Sequence, residues 1–305
     1  MWTKIVVAGL GLTVAGFVGA AILKRWQVER QTAHRVDTLL GSASLRTGAF
    51  RTADLDGLPA PVQRCLRRVL RDGQSYIQTL RVEQRGTFRA GDASAAWRPF
   101  TAAQHVTVRP PGFVWDASIR MTAGLPVWVL DAYHDGRGVL EARLGGVLPV
   151  MNGEPGPELD EGELLRYLAE APLYPTALLP EMGVTWTPID DRSARATLTD
   201  RATTATLVFH FNDNDEVARV EGQRSFTKAD GTAEARPWRG YWRDYAERGG
   251  MWVPTRGEVA WVHPDEGEVS YWRGQLHTFA YDTADDGGTP DRATPSPTTA
   301  TAPQK

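Results

Sequence analysis

Side-chain polarity that alternates residue by residue recurs along most of this chain, a period that fits half-buried β-strands and not helices. Over residues 113–121, one face would carry Phe113, Trp115, Ala117, Ile119 and Met121, and the other Val114, Asp116, Ser118 and Arg120. Residues 203–211 repeat the pattern, with Ala205, Leu207, Phe209 and Phe211 opposite Thr204, Thr206, Val208 and His210. Further strands are expected over 76–88, 103–109, 127–133, 138–144, 185–189, 194–199, 217–223, 253–263 and 268–281. Turn chemistry separates them at Asp135-Gly136, Asn152-Gly153, Asn212 to Asp215 and Asp230-Gly231, which favours hairpins and meanders. Parallel crossovers would need helices that the sequence does not supply. One internal helix is expected over 158–170, with Leu159, Leu164, Leu165 and Leu168 on its apolar face and Pro172 beyond its end. The expected fold is mainly β (α+β): a strongly curved antiparallel sheet or half-barrel with two or three covering helices.

An uncharged run opens at Ile5 and closes at Leu23. As a helix it spans roughly 28 Å, close to the ~30 Å hydrocarbon core of a bilayer. A transmembrane anchor over 1–25 is therefore expected, with the lipid bilayer as its partner. A cleaved signal peptide is the rival, given Lys4 before the run and Gly19, Ala20 and Ala21 within it; Ile22, Leu23, Lys24, Arg25 and Trp26 then follow where a polar cleavage region should stand. Lys24, Arg25, Arg30 and Arg35 favour a cytoplasmic C-terminal side by the positive-inside rule. The segment 26–53 reads as a helical stalk and hinge, 54–281 as the β-rich domain, and 282–305, without a large apolar residue, as a disordered tail. The only cysteine, Cys65, rules out an internal disulfide.

A helix from Pro61 to Arg71 carries Arg64, Arg67, Arg68 and Arg71, but the formal charge of the chain is −3 and no further basic cluster extends the patch. A solvated helix face explains it, and a nucleic-acid partner is not expected. The chain holds 11 tryptophans, several beside arginines on expected strands. Trp offers a large apolar surface with one polar N–H, which suits cores and the walls of apolar cavities alike.

The segments LPAPVQRCL, WRPFTAAQH, PPGFVWDASIRM, VLDAYHDGRG, LRYLAEAPLYPTALLP, PWRGYWRDY and VSYWRGQL, in that order, resemble an uncharacterised bacterial family of unknown function whose members are typically membrane-associated or exported. The resemblance runs from about Leu58 to Tyr281 and implies no activity. The expected architecture is also similar, at the level of fold, to the curved sheets of periplasmic lipoprotein carriers, and that similarity implies an extracytoplasmic domain, against the charge rule.

No nucleophile elbow, phosphate loop, dinucleotide fingerprint or close metal-ligand pair is present, and neither a cofactor nor a metal is expected. The leading reading is a non-enzymatic, membrane-anchored domain that binds an apolar or amphipathic ligand, a lipid or lipoprotein acyl chain. Its concave face would be lined from Phe113, Trp115, Trp128, Phe209, Trp242, Trp261 and Trp272. One alternative is an enzyme using Asp131 and His134 with an arginine from Arg239, Arg243 or Arg273. Asp131 and His134 would point to opposite faces if their strand runs through both. The other alternative is a protein-interaction scaffold, which requires a filled sheet interior.

Overall fold

The computed structural model describes residues 2–44, 47–121, 124–228 and 231–283, with side chains of the N-terminal helix from Ile22 onward. Three α-helices, α1 (Trp2–Gly41), α2 (Ala60–Val69) and α3 (Pro157–Glu170), accompany a single sheet. From its centre the chain steps outward through β1 (Ile77–Phe88), β2 (Arg98–Thr107), β3 (Gly112–Arg120), β4 (Pro126–His134), β5 (Arg137–Leu144) and β6 (Leu148–Asn152). It crosses through α3 to the far edge and returns through β7 (Val184–Asp190), β8 (Ser193–Asp200), β9 (Thr203–Phe211), β10 (Val217–Thr227), β11 (Ala233–Arg248), β12 (Met251–His263) and β13 (Gly267–Thr283). The order is β6-β5-β4-β3-β2-β1-β13-β12-β11-β10-β9-β8-β7 in one 13-stranded sheet, and every pairing is antiparallel. Apart from the α3 crossover, each step is a hairpin, as the turn residues predict. At Asp135-Gly136 both φ angles are positive, 56 and 79, which matches the twist that a two-residue hairpin imposes.

Three glycines in register allow the sheet to curl. Gly274 on β13 faces Gly86 on β1 and Gly257 on β12. A Cβ on Gly86 would overlap the Arg273 carbonyl, and one on Gly274 would enter the Trp272 indole. A Cβ on Gly257 would meet the Trp242 ring at 2.8 Å. Bare backbone under these indoles permits a bend that side chains would block.

The two edge strands, β6 and β7, do not pair with each other. Side chains join the two arms instead. Arg201 ion-pairs with Asp135, and Tyr133 Oη donates to Asp200 at 2.9 Å. α3 lies between the arms: the Gly138 N–H on β5 donates to Asp160 at 2.7 Å, while Arg224 on β10 donates to Glu163 at 2.8 Å. A Cβ at Gly138 would meet the Leu159 carbonyl at 2.6 Å, so the helix rests directly on that strand.

The inside of this half-barrel is filled. Leu164, Leu165 and Leu168 of α3, followed by the 3-10 turns Ala171–Leu173 and Pro175–Leu178, share one buried cluster with Phe113, Leu207 and Phe209. Burying each leucine contributes about 1.5–3 kcal/mol, which fixes α3 in place by its apolar side alone. α2 adds Val62, Cys65 and Leu66 to the same cluster. Arg64 on its solvated side pairs with Asp215 at 2.8 Å, and Arg71, just past its end, with Glu247 at 2.8 Å.

Several expectations change. The segment expected to be a stalk is part of the fold, because the end of α1 packs on the outer face of the sheet, where Leu39 is fully buried against Val114 and Ala132. The longest strands include β11, which was not bounded from the sequence, and β6 ends at Asn152, so Asn152-Gly153 leads into the α3 crossover and not into a hairpin. β13 continues through Thr283, two residues into the expected tail; residues 284–305 lie outside the described residues. Among the described residues no helix is long and apolar enough to cross a membrane. The expected anchor at 5–23 falls almost wholly outside the residues whose side chains are described.

Candidate functional site

The alternation places Asp131 and Trp115 opposite each other on neighbouring strands, both facing inward. There they meet charges that α3 carries on its buried side. Arg166 ion-pairs with Asp131 and with Glu170, the latter at 2.9 Å, and its guanidinium lies 4.8 Å from the Phe113 ring and 5.0 Å from that of Trp115. Trp115 Nε1 donates to Gln84 at 2.9 Å, and Gln84 donates to Gln104 at 2.6 Å. Glu163 is only 1% exposed. Asp131 Oδ1 and Glu163 Oε2 each lack a donor. Burial first, and then the charge of Asp131, push the Glu163 carboxyl well above the usual carboxylate range. That direction favours the protonated carboxyl, whose proton would supply the donor that both oxygens lack. With it, the layer of Asp131, Glu163, Glu170, Arg166 and Arg224 is electrically balanced.

α3 and its following turns leave the strand ends around the β10–β11 and β12–β13 turns uncovered by leucine, and aromatic rings cover that part of the concave face. Phe226 stands 5.1 Å edge-on to Trp261, which stacks on Tyr271 at 6.2 Å. Phe88 meets Tyr271 at 6.2 Å, and Trp238 Nε1 donates to the Tyr271 hydroxyl at 2.9 Å. The bulge between Val259 and Ala260 turns Tyr271 and Trp272 toward the same side. Phe88, Phe226, Trp261, Tyr271 and Trp272 are half-buried, a degree of exposure that leaves ring faces available to a ligand. Arg236 is the cation of this cluster, 3.6 Å from the Phe226 ring, paired with Glu234 and donating to His263 Nδ1 at 2.8 Å.

The residues chosen from sequence divide into three groups. Phe113, Trp115 and Phe209 face inward but are core, with Phe209 fully buried beneath Trp186. Trp242 and Trp272 cover the glycine row, and Trp242 Nε1 donates to the Ala169 carbonyl of α3 at 3.0 Å; Trp261 is in the uncovered aromatic cluster. Trp128 is corrected: it sits on the outer face beneath α1, with the Arg25 guanidinium 5.4 Å from its ring. Asp131 and His134 are on opposite sides of the sheet, His134 Nε2 lying 3.2 Å from Ser42 Oγ. Arg239, Arg243 and Arg273 are also outside, each paired with Glu221, Glu258 or Glu268. The set chosen for catalysis therefore does not converge. Phe226 and Arg236 were missed because the end of β10 and the start of β11 were not bounded as strands, and Tyr271, on the expected strand 268–281, because the bulge that turns it inward cannot be read from alternation. The charged layer left one sequence signal, the spacing of Glu163, Arg166 and Glu170 on a single helical face beside the leucines.

The clefts are small. One of about 310 Å³ beside α3 is bounded by polar and apolar groups alike, including Glu161, Thr204, Leu207 and Val208; another of about 40 Å³ lies between α1 and Trp128. Among the described residues no three His, Cys, Asp or Glu side chains form a metal-binding group.

Residues 56–281 match the model of one protein family. The chain belongs to DUF6920, a family of unknown function. The match takes in the whole sheet to Tyr281 and excludes α1, so the half-barrel is the DUF6920 domain. No curated protein matches the chain by sequence. Among solved structures it is similar to a LolA superfamily protein from Nitrosomonas europaea, 14% identical, with 73% of this chain and 93% of that one covered and a TM-score of 0.38. It is also similar to a beta-barrel-like protein of domain of unknown function DUF1849 from Brucella abortus, 11% identical, covering 68% and 99% with a TM-score of 0.22.

Proposed function

We propose that this DUF6920 protein is a bilayer-tethered, non-enzymatic domain that binds the apolar part of a lipid or lipoprotein through the aromatic end of its concave face. The observation that carries the reading is the half-buried cluster of Phe88, Phe226, Trp261 and Tyr271, where apolar rings, two of them with a polar group, stand at the boundary between core and solvent. The tether is the uncharged run at 5–23, long enough to cross a bilayer as a helix. Because α3 fills the rest of the hollow, the ligand lies along the aromatic end and not through the middle of the sheet.

The test uses the full chain in amphipol with dansyl-undecanoic acid as probe, read as energy transfer from tryptophan. Phe226→Ala, which leaves the tryptophan donors in place, is expected to weaken binding about fivefold, the loss of roughly 1 kcal/mol of ring contact. No transfer in the wild type, or equal affinity in the variant, overturns the reading. The filled interior supports a second reading, an interaction scaffold, under which the chain takes up no fatty acid at all.

A further inference from the structure

α1 runs along the outer face of the sheet in a register that several contacts fix. Ser42, just past its end, meets His134; Arg35 pairs with Glu141 at 3.2 Å; and Arg25 reaches the Trp128 ring. From Ser42 back to Leu23 the helix rises about 28 Å, while β4 and its lead-in from His134 back to Leu125 extend about 30 Å. Leu23 is therefore level with Leu125, at the tip of the β3–β4 hairpin. The β5–β6 turn ends at the same height, because the Gly145 N–H donates to the Pro126 carbonyl at 2.8 Å and Gly146 lies under Trp128.

The side chains at this level are apolar and uncovered: Leu125 is 54% exposed, Leu148 62% and Val150 56%, with Ile22 and Leu23 exposed beside them. Lys24, Arg25, Arg30 and Arg120 surround the patch and are exposed, and Trp26 lies under the Arg30 guanidinium at 3.6 Å. Apolar tips ringed by cations and an indole are the composition of a lipid interface. This is also where the uncharged run begins, so the same plane that receives the helix meets the hairpins.

We propose that the β3–β4 and β5–β6 hairpin tips, marked by Leu125, Leu148 and Val150, rest in the interfacial layer of the bilayer that residues 5–23 cross, docking the half-barrel on the lipid surface. The proposal rests on the tether described above. It fixes the orientation of the domain: the sheet's outer face stands along the emerging helix, and the β6 edge is shielded by lipid and not by another strand.

The test is made on the full chain reconstituted in vesicles of phosphatidylglycerol and phosphatidylethanolamine that carry a nitroxide-labelled lipid. Bimane is attached at Leu125→Cys, Leu148→Cys or, on the opposite edge, Ile189→Cys. Ile189 is 46% exposed, so its label reports an accessible site away from the patch. The native thiol does not compete, since Cys65 is buried and burial, with Asp215 and Glu216 nearby, pushes it up to about 12. Labels at 125 and 148 are expected to shift to the blue and lose most of their fluorescence to the nitroxide, and the label at 189 to lose none. Labels at 125 and 148 that behave like 189 overturn the docking. A blue shift that needs no lipid and grows with protein concentration assigns the edge to a second copy and also overturns it. Resistance of the chain to carbonate extraction reads the tether separately: a retained chain with unquenched tips leaves the tether standing, and an extracted chain ends both.

Discussion

Glu163 gives the sharpest test of the interior, because the balance of the buried layer depends on its holding a proton. In Glu163→Gln the amide oxygen can still accept from Arg224, which donates to the wild-type carboxyl at 2.8 Å, and the amide N–H₂ takes the place of the shared proton toward Asp131. Every partner is kept, so the cost is expected to be below about 1 kcal/mol. Glu163→Leu has similar bulk but takes from Arg224 and Asp131 Oδ1 their Glu163 partner in a largely buried layer, which costs about 3–5 kcal/mol. The pH dependence separates the two forms of the wild-type group. A carboxyl whose folded pKa is raised binds its proton more tightly folded than unfolded, so its contribution is greatest below the ordinary carboxylate pKa and declines as pH rises toward the folded value. Glu163→Gln removes that decline, and its stability relative to wild type should improve from pH 5 to pH 9. Guanidinium unfolding followed by tryptophan fluorescence measures both effects, and the carbonyl stretch of a protonated carboxylic acid, lost in Glu163→Gln, identifies the proton directly. If Gln and Leu are equally damaging, or that band is absent, the shared-proton account is wrong.

Two further perturbations probe the curl and the seat of α1. Gly274→Ala places a methyl inside the Trp272 indole, which cannot move away without disturbing Phe100 at 5.7 Å; a loss of about 3 kcal/mol or failure to fold is expected in denaturant titration, and a change under 1 kcal/mol would mean the glycine row does not set the curvature. Asp116 lies beneath α1, where burial and then Glu29 raise it to about 6. Stability should fall between pH 4 and 6 as it ionises and stay lowered above, so Asp116→Asn should exceed wild type by about 3 kcal/mol at pH 8 and match it at pH 4. Parallel curves for the two proteins would remove Asp116 as the cause.

Sequence periodicity located the strands whose two faces differ in polarity. β9 was bounded to the residue, because Ala205, Leu207, Phe209 and Phe211 face the core while threonines face water. β11 was expected only around Trp238 and Trp242 and was not bounded, because Pro237 and Gly240 interrupt its run of apolar positions. The packing of α1 was hidden for a different reason. Leu39 and Val36 are too few to mark a buried stripe, and only the tertiary arrangement puts Val114 and Ala132 opposite them. The aromatic end was likewise beyond periodicity, since the bulge between Val259 and Ala260 breaks the period and brings two consecutive aromatics to one face.

The position of the charges decides which part of the concave face can receive a ligand. α3 meets the sheet through Asp160, Glu163, Arg166 and Glu170, whose partners come from β5, β4, β10 and β2. Swinging the helix out to open the middle of the half-barrel would separate Arg166 from Asp131 and Arg224 from Glu163 while also exposing Leu164, Leu165 and Leu168. Breaking one such buried pair costs about 3–5 kcal/mol and exposing each leucine about 1.5–3 kcal/mol, so the displacement approaches the whole stability of an ordinary domain. A ligand entering there would have to recover nearly all of that from its own contacts. The ring cluster around Trp261 carries no such penalty, because its members are already half in water and held by stacking and a single hydrogen bond from Trp238. Under the proposed function, binding at the aromatic end leaves α3 in position, and a bound acyl chain that left the Arg166–Asp131 pair intact would be its structural signature.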